Sequence, residues 1–216
     1  MINNYKDLTL EKYLDIQDID WVGMEEIDIQ TTIISILTDM DFEDVLDLPI
    51  PKYRELAGQL EFLKNPPLVK AKRVDRVIID GKEFMVIKKV EDMTAGQYID
   101  FQHYFKEKDV RMLPYILSCF IIPKGEKYGD SDTIEYMKQL SVEEALTIAN
   151  FFMKQSRSLI KGMLLSLEWM IKKRIRKEKD ETVKEKMKEA KKMVHSLKDL
   201  VTSGDGFHLL IQSLKQ

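Results

Sequence analysis

The chain has 216 residues, 44% of them apolar and 33% charged, with only 9 Gly and 6 Pro. That is long enough to bury a core, and too poor in turn residues for a sandwich or barrel. Its net charge of −3 points to neither a nucleic acid nor a membrane, and its apolar runs fall short of the ~20 residues that span a bilayer.

Charge is unevenly distributed. Residues 1–50 hold 13 acids against Lys6 and Lys12, whereas 154–200 hold 15 Lys and Arg against 7 acids. Such a dipolar chain pairs its ends internally, pairs head to tail between copies, or offers a basic helix to an acidic partner; solvated faces of different sign are the plain alternative. The lone Cys119 excludes an internal disulfide, which makes a reducing compartment the expectation. MINNYKDLTLEKYL lacks the basic and apolar regions of a signal peptide, so none is expected.

Leu8 to Ile19 reads as an amphipathic helix with Thr9 as cap and Leu10, Tyr13 and Leu14 on one face. Glu25 to Leu37 is a second, striped by Ile27, Ile33, Ile34 and Leu37, with acids in its first turn. Asp41 caps a turn or two through Leu46. Pro51 suits the first position of a helix running to about Leu63, and Asn65-Pro66-Pro67 stops it. Asp80-Gly81 between two β-rich runs then predicts a hairpin with strands near 73–80 and 82–90. Its faces are expected to be Val74, Ile78, Phe84, Val86 and Val77, Ile79, Met85, Ile87; both are apolar, so both should be covered.

Thr94-x-x-Gln97 is a capping box, and Met93 and Tyr98 stand where a hydrophobic staple would close. Asp109 to Ile122, interrupted at Pro114, reads as a core helix, and Pro123-Lys124-Gly125 opens a polar loop through Asp130. Two more boxes, Asp132-x-x-Glu135 and Ser141-x-x-Glu144, predict a short helix and a long one. Past Met170 the long helix keeps only Ile175, Val183, Met187, Ala190 and Val194 as a stripe, the mark of a surface-crossing helix or coiled-coil arm. Ser203-Gly204-Asp205-Gly206 ends it, and FHLLIQSL is a last apolar segment. No internal repeat is present. The expected fold is mainly α with one β-hairpin (α+β), a helical domain followed by a long C-terminal charged helix. Its expected regions are an acidic helical one (1–68), a hairpin-plus-helix core (69–170), and a basic helical arm with an apolar tail (171–216).

Chemistry is harder to find. Asp39, Asp41, Glu43 and Asp44 imitate the start of a calcium loop, but the sixth position is Asp44 instead of Gly and the twelfth is Ile50 instead of an acid. His103, His195 and His208 are far apart and pair with no Cys at zinc spacing. Cys119 sits in an apolar run, which suits inert packing. There is no G-x-S-x-G, and Lys124-Gly125-Glu126-Lys127 lacks the glycines of a phosphate loop. Asp100 and His103 form at most a polar surface pair. No enzyme activity, metal or cofactor is expected. Lys172, Lys173, Arg174, Arg176 and Lys177 are the candidate interaction residues. They suit a protein partner better than phosphates, because acids interleave from Glu178 onward and no aromatics accompany them for base stacking.

Four segments occur in order: an acidic helix ending in LPIP, the IIDGKEFMV hairpin, MTAGQYIDFQHYFK, and the IIPKGEKYGD loop. Over roughly residues 30–155 this order resembles small tail-assembly chaperone-like and related structural proteins of tailed bacteriophages of gut bacteria. The resemblance implies a non-enzymatic role in tail or virion assembly, in the host cytoplasm or retained in the particle, through binding other tail or virion proteins. It carries over no site residues, and the basic arm departs from the family pattern. The arm is expected to associate, with another copy or with a neighbouring virion protein. Nucleic-acid association through 171–192 is the alternative.

Overall fold

The computed structural model describes residues 2–65, 67, 71–107, 109–177 and 181–203, with the side chains of 156–160, 162, 163, 177 and 197–203 left aside. The expected apolar tail at 207–214 therefore lies outside the described residues.

The fold is mainly α with a small antiparallel sheet. Four helices come first: α1 (Leu10–Gln17), α2 (Glu26–Thr38), α3 (Phe42–Leu46) and α4 (Ile50–Gly58), the last continuing into a 3₁₀ segment, Gln59–Lys64. Thr9 caps α1 by accepting from the Lys12 amide, as its spacing predicts. Pro51 falls within the first turn of α4, whose flanking residue is Pro49. In α2 the buried stripe is Thr31, Ile34 and Leu37. Ile27, expected in that stripe, is 52% exposed: it shares the face of Thr31 and Ile34 but stands in the first turn of α2, before the buried turns begin.

Strands β1 (Arg76–Ile79) and β2 (Lys82–Val86) form the hairpin. Asp80 and Gly81 take φ of 49° and 73°, the left-handed pair that a two-residue loop of this twist requires. The register pairs Val77 with Phe84 and Ile78 with Glu83. Cross-strand partners share a face, so Val77, Ile79, Phe84 and Val86 together form the buried one. The expected faces are corrected accordingly. Among the described residues only one side is covered: Ile78 and Met85, on the other, are 70% and 43% exposed.

Residues 109–122 also depart from expectation. They form a 3₁₀ turn (Val110–Met112), a short helix α6 (Leu113–Ser118) and a third strand β3 (Ile121–Pro123), with α5 (Ala95–Lys106) preceding them. Pro114 opens α6 instead of interrupting a helix, as its missing N–H allows. β3 pairs with β2, giving the order β1-β2-β3.

The core gathers around the start of α8 (Val142–Lys177), after a short α7 (Ile134–Gln139). Asp132 does not build the expected box at α7; its carboxylate accepts from the Ile134 amide, while Glu135 pairs with Lys138. Ser141 and Glu144 do bond reciprocally: the Glu144 amide donates to Ser141 Oγ at 3.2 Å, and Glu144 reaches back to the Ser141 amide. The N-terminal segment locks onto this turn through Leu10 N to Leu140 O (2.7 Å) and Val142 N to Leu8 O (2.8 Å). Leu8 and Leu10 are fully buried there. Phe152 stacks on Phe120 with centroids 4.3 Å apart and meets Phe101 edge-on at 5.4 Å.

Beyond Met153 no described side chain of α8 is buried. The expected single long helix is instead two: α8 ends at Lys177, and α9 (Glu181–Ser203) packs back along it. Partly buried Leu164, Glu168, Ile171 and Ile175 on α8 recur at helical spacing, as do Met187, Ala190 and buried Val194 on α9. The thin stripe of the sequence is thus the seam of a helical hairpin, with the Lys184–Glu181 pair at its edge and the exposed Lys188–Glu185 pair outside it.

Candidate functional site

The middle motifs prove to be fold-building. Thr94 and Gln97 form the predicted capping box, and the buried Gln97 amide also donates to Cys119 O at 2.9 Å, tying α5 to the end of α6. Asp100 accepts from the Tyr128 hydroxyl at 2.8 Å, which pins the polar loop onto α5. The pairing of Asp100 with His103 is thereby superseded: exposed His103 lies edge-on to Tyr104. Cys119 is fully buried, and desolvation pushes its thiol up to about 12. A thiol in that state is a poor nucleophile. Desolvation first, then the bond to Asp100, also raises Tyr128 well above the ordinary phenol range.

The acids of the imitated calcium loop separate. Asp39 sits in the left-handed position ending α2 and pairs with Lys12 at 2.6 Å, while Asp41 flanks α3. Among the described residues no group of three His, Cys, Asp or Glu side chains converges as a metal site would require.

Three surfaces stand out among the described residues. The first is a cleft of about 670 Å³ between edge strand β1 and the first turns of α8, lined by Lys6, Lys72, Arg76, Glu143 and Thr147. Its charges are mixed; Ser141 and Glu144 also line it, and the Ser141 hydroxyl donates to the Glu144 carboxylate at 2.8 Å as part of the cap that opens α8.

The second is a groove of about 470 Å³ over α2, α3 and α4. Tyr53 builds its floor by donating to Ile27 O at 3.3 Å and meeting the Thr31 hydroxyl at 3.1 Å, which fixes α4 against α2. Leu48 and Ala57 line the groove, and Ile27, Leu46 and Ile50 stand exposed around it. Residues 25–57 carry nine acids against Lys52 and Arg54, so its surroundings are negative.

The third is the outer face of the helical arm. Leu165, Leu167, Trp169 and Met170 are all exposed beyond the core-bound part of α8. The candidate residues lie among and just past them. Lys172 pairs with Glu168 at 2.8 Å, and Lys173 sits 4.8 Å from the Trp169 ring centroid, a cation–π contact. Arg174 and Arg176 are exposed, and the side chain of Lys177 lies outside the described residues. The sequence marked the cations but missed their apolar companions; a run of LLSLEWM too rich in apolar residues for a helix free of the core was the available signal. No helix among the described residues is long and apolar enough to cross a membrane.

No family model, curated protein or solved structure matches this chain.

Proposed function

We propose that the chain is a non-enzymatic phage assembly or virion structural protein, acting in tail or virion morphogenesis by binding other proteins. One observation carries the protein-binding part: among the described residues, an arm whose α8 part buries no side chain beyond Met153 presents Trp169 and Met170 beside Lys173, Arg174 and Arg176. Trp and Arg are the residue types that dominate binding energy at protein interfaces. An exposed apolar face rimmed by charge is what an interaction site looks like, and a monomer gains nothing from it. The phage part rests on the resemblance of residues 30–155, whose Thr94, Gln97, Asp100 and Tyr128 serve as a scaffold for such surfaces. Assembly in the host cytoplasm, with or without retention in the particle, follows from that reading.

Mass spectrometry of purified particles and of assembly intermediates, combined with cross-linking, tests it. The chain is expected in one of the two fractions, cross-linked to a tail or virion protein through 165–176. Its absence from both overturns the proposal. A second reading, nucleic-acid association through 171–192, is favoured only by the exposed cations of that segment, Lys172, Lys173, Arg174 and Arg176 among them. It requires log affinity to fall steeply with log salt.

A further inference from the structure

The arm and the α2–α4 groove are complementary halves. The arm offers protruding apolar side chains with cations: between 165 and 177 there are five Lys and Arg against Glu168. On the helical wheel Leu165, Trp169, Lys173 and Arg176 fall on the flank facing away from the α9 seam. The groove offers the inverse, an apolar depression of about 470 Å³ in acidic surroundings. A depression of this size takes an indole and its aliphatic neighbours.

Among the described residues of one molecule the two halves make no extensive contact: α9 packs extensively against α8, and α8 joins the body chiefly through α1 and α6, with Phe152 also meeting Phe101 of α5. Among the described residues, every copy therefore presents one open groove and one exposed arm face, with surroundings of opposite sign.

We infer that the Trp169 face of one copy seats in the α2–α4 groove of a second copy, head to tail. The inference rests on the reading of the arm as a protein-binding element, and it names a second copy of this chain as the partner. Trp169 enters beside Leu46 and Ile50, while Lys173 and Arg176 meet acids of the groove's surroundings such as Glu43 and Asp47. Arg54 also lines the groove and is a like charge the arm must pass; nearby Lys52 is paired with Glu55 at 3.0 Å. Such a contact is heterologous: it leaves a free groove at one end and a free arm at the other, so it propagates into a ring or filament.

Sedimentation of the full chain over a range of concentrations, at low salt and at about 1 M salt, is the test. Association should grow with concentration and weaken at the higher salt, where the screening length falls to about 3 Å. Trp169→Glu destroys the arm face and Ile50→Glu the groove; both side chains are more than half exposed, at 60% and 67%, so the fold should survive, as an unchanged thermal midpoint will show. If Ile50→Glu shifts the midpoint, Leu46→Glu replaces it. Each variant alone should associate at least ~30-fold more weakly, the scale of losing a hot-spot side chain. Mixed in equal amounts, they should form a 1:1 dimer that grows no further, because one retains the groove and the other the arm. A wild-type chain that stays monomeric at low salt overturns the inference. So does a single variant that associates like the wild type, which would mean arm meets arm or groove meets groove, and so does a mixture that forms no 1:1 dimer. If the wild type is monomeric yet still cross-links to virion proteins through 165–176, the second copy is the wrong partner and the protein-binding reading stands.

Discussion

The body and the arm are both helical, but different forces hold them. In the body, short helices that could not persist alone are fixed by burial: Leu8, Leu10, Phe84, Phe120 and Phe152 lose all or nearly all contact with water. In the arm, α9 keeps one buried residue, Val194, among its described side chains. Its sequence is rich in Lys and Glu, good helix formers that also pair along the helix. Each such pair is worth only ~0.2–0.5 kcal/mol. The body's geometry is set by packing, whereas the arm's helicity is set locally and its direction by a narrow seam. Apolar surface left over from such a seam is available to another molecule.

The largest effect that would break this contrast is at the centre of the body. Phe152→Ala should cost about 3–5 kcal/mol, through lost transfer energy and the cavity beside Phe120 and Phe101. Trp169→Ala, a larger truncation, should change stability by less than about 0.5 kcal/mol in the monomer. Urea denaturation at matched concentration compares them. Comparable losses would mean that the Trp169 face is packed and the two regions are one.

Next in size is the seam. Val194→Asp puts an unpaired carboxylate where α9 meets α8. We expect hydrogen exchange across α9 and the distal half of α8 to accelerate by at least about tenfold while α5 and α6 keep their protection. Uniform loss across the chain would show that arm and body unfold as one unit.

The hairpin gives a smaller test of the body. Gly81 holds φ of 73° with nothing near where a Cβ would be. Gly81→Val therefore acts through backbone strain alone, roughly 1–2 kcal/mol. Thr94→Ala, which removes the acceptor for the Gln97 amide, should cost about 1 kcal/mol. Both are read as shifts in denaturation midpoint. An unchanged midpoint for Gly81→Val would contradict the turn geometry.

What was legible in the sequence is what local chemistry decides. Thr9, Asp80-Gly81, Thr94-x-x-Gln97 and Ser141-x-x-Glu144 each bond within three or four residues, so their patterns translate directly into caps and turns. Contacts between distant segments were not legible. β3 is three residues, Ile121–Pro123, defined only by partners near position 85. The hairpin faces depended on a register that hydrophobicity could not fix, since apolar residues occupy both sides. The end of α8 at Lys177 is marked by no Pro or Gly, so the sequence pattern runs on into α9 without a stop signal. The cations of the candidate site were visible as a run. Their apolar companions, and the groove made by Tyr53 joining α2 to α4, required the fold.

The smallest effect concerns Cys119 and separates burial from mere helicity. Its thiol is raised from its ordinary 9.0 to about 12 by desolvation, with Tyr128 working weakly in the opposite direction. The folded state therefore keeps a proton that the unfolded chain releases. The associated stability is complete below about pH 9 and is lost as pH rises towards about 12. Tyr13, raised by burial, adds a loss of the same sign above its own ordinary value of 10.0. Cys119→Ala should thus flatten the fall in stability between about pH 9 and 10, before the tyrosines take over. A thiol reagent at neutral pH should label the native chain only at the rate at which the body opens, whereas a cysteine placed at Ser166 on the exposed part of α8 should react at once. Rapid labelling of native Cys119 would mean that the end of α6 opens locally, and that the body is less uniformly held than its buried aromatic stack implies.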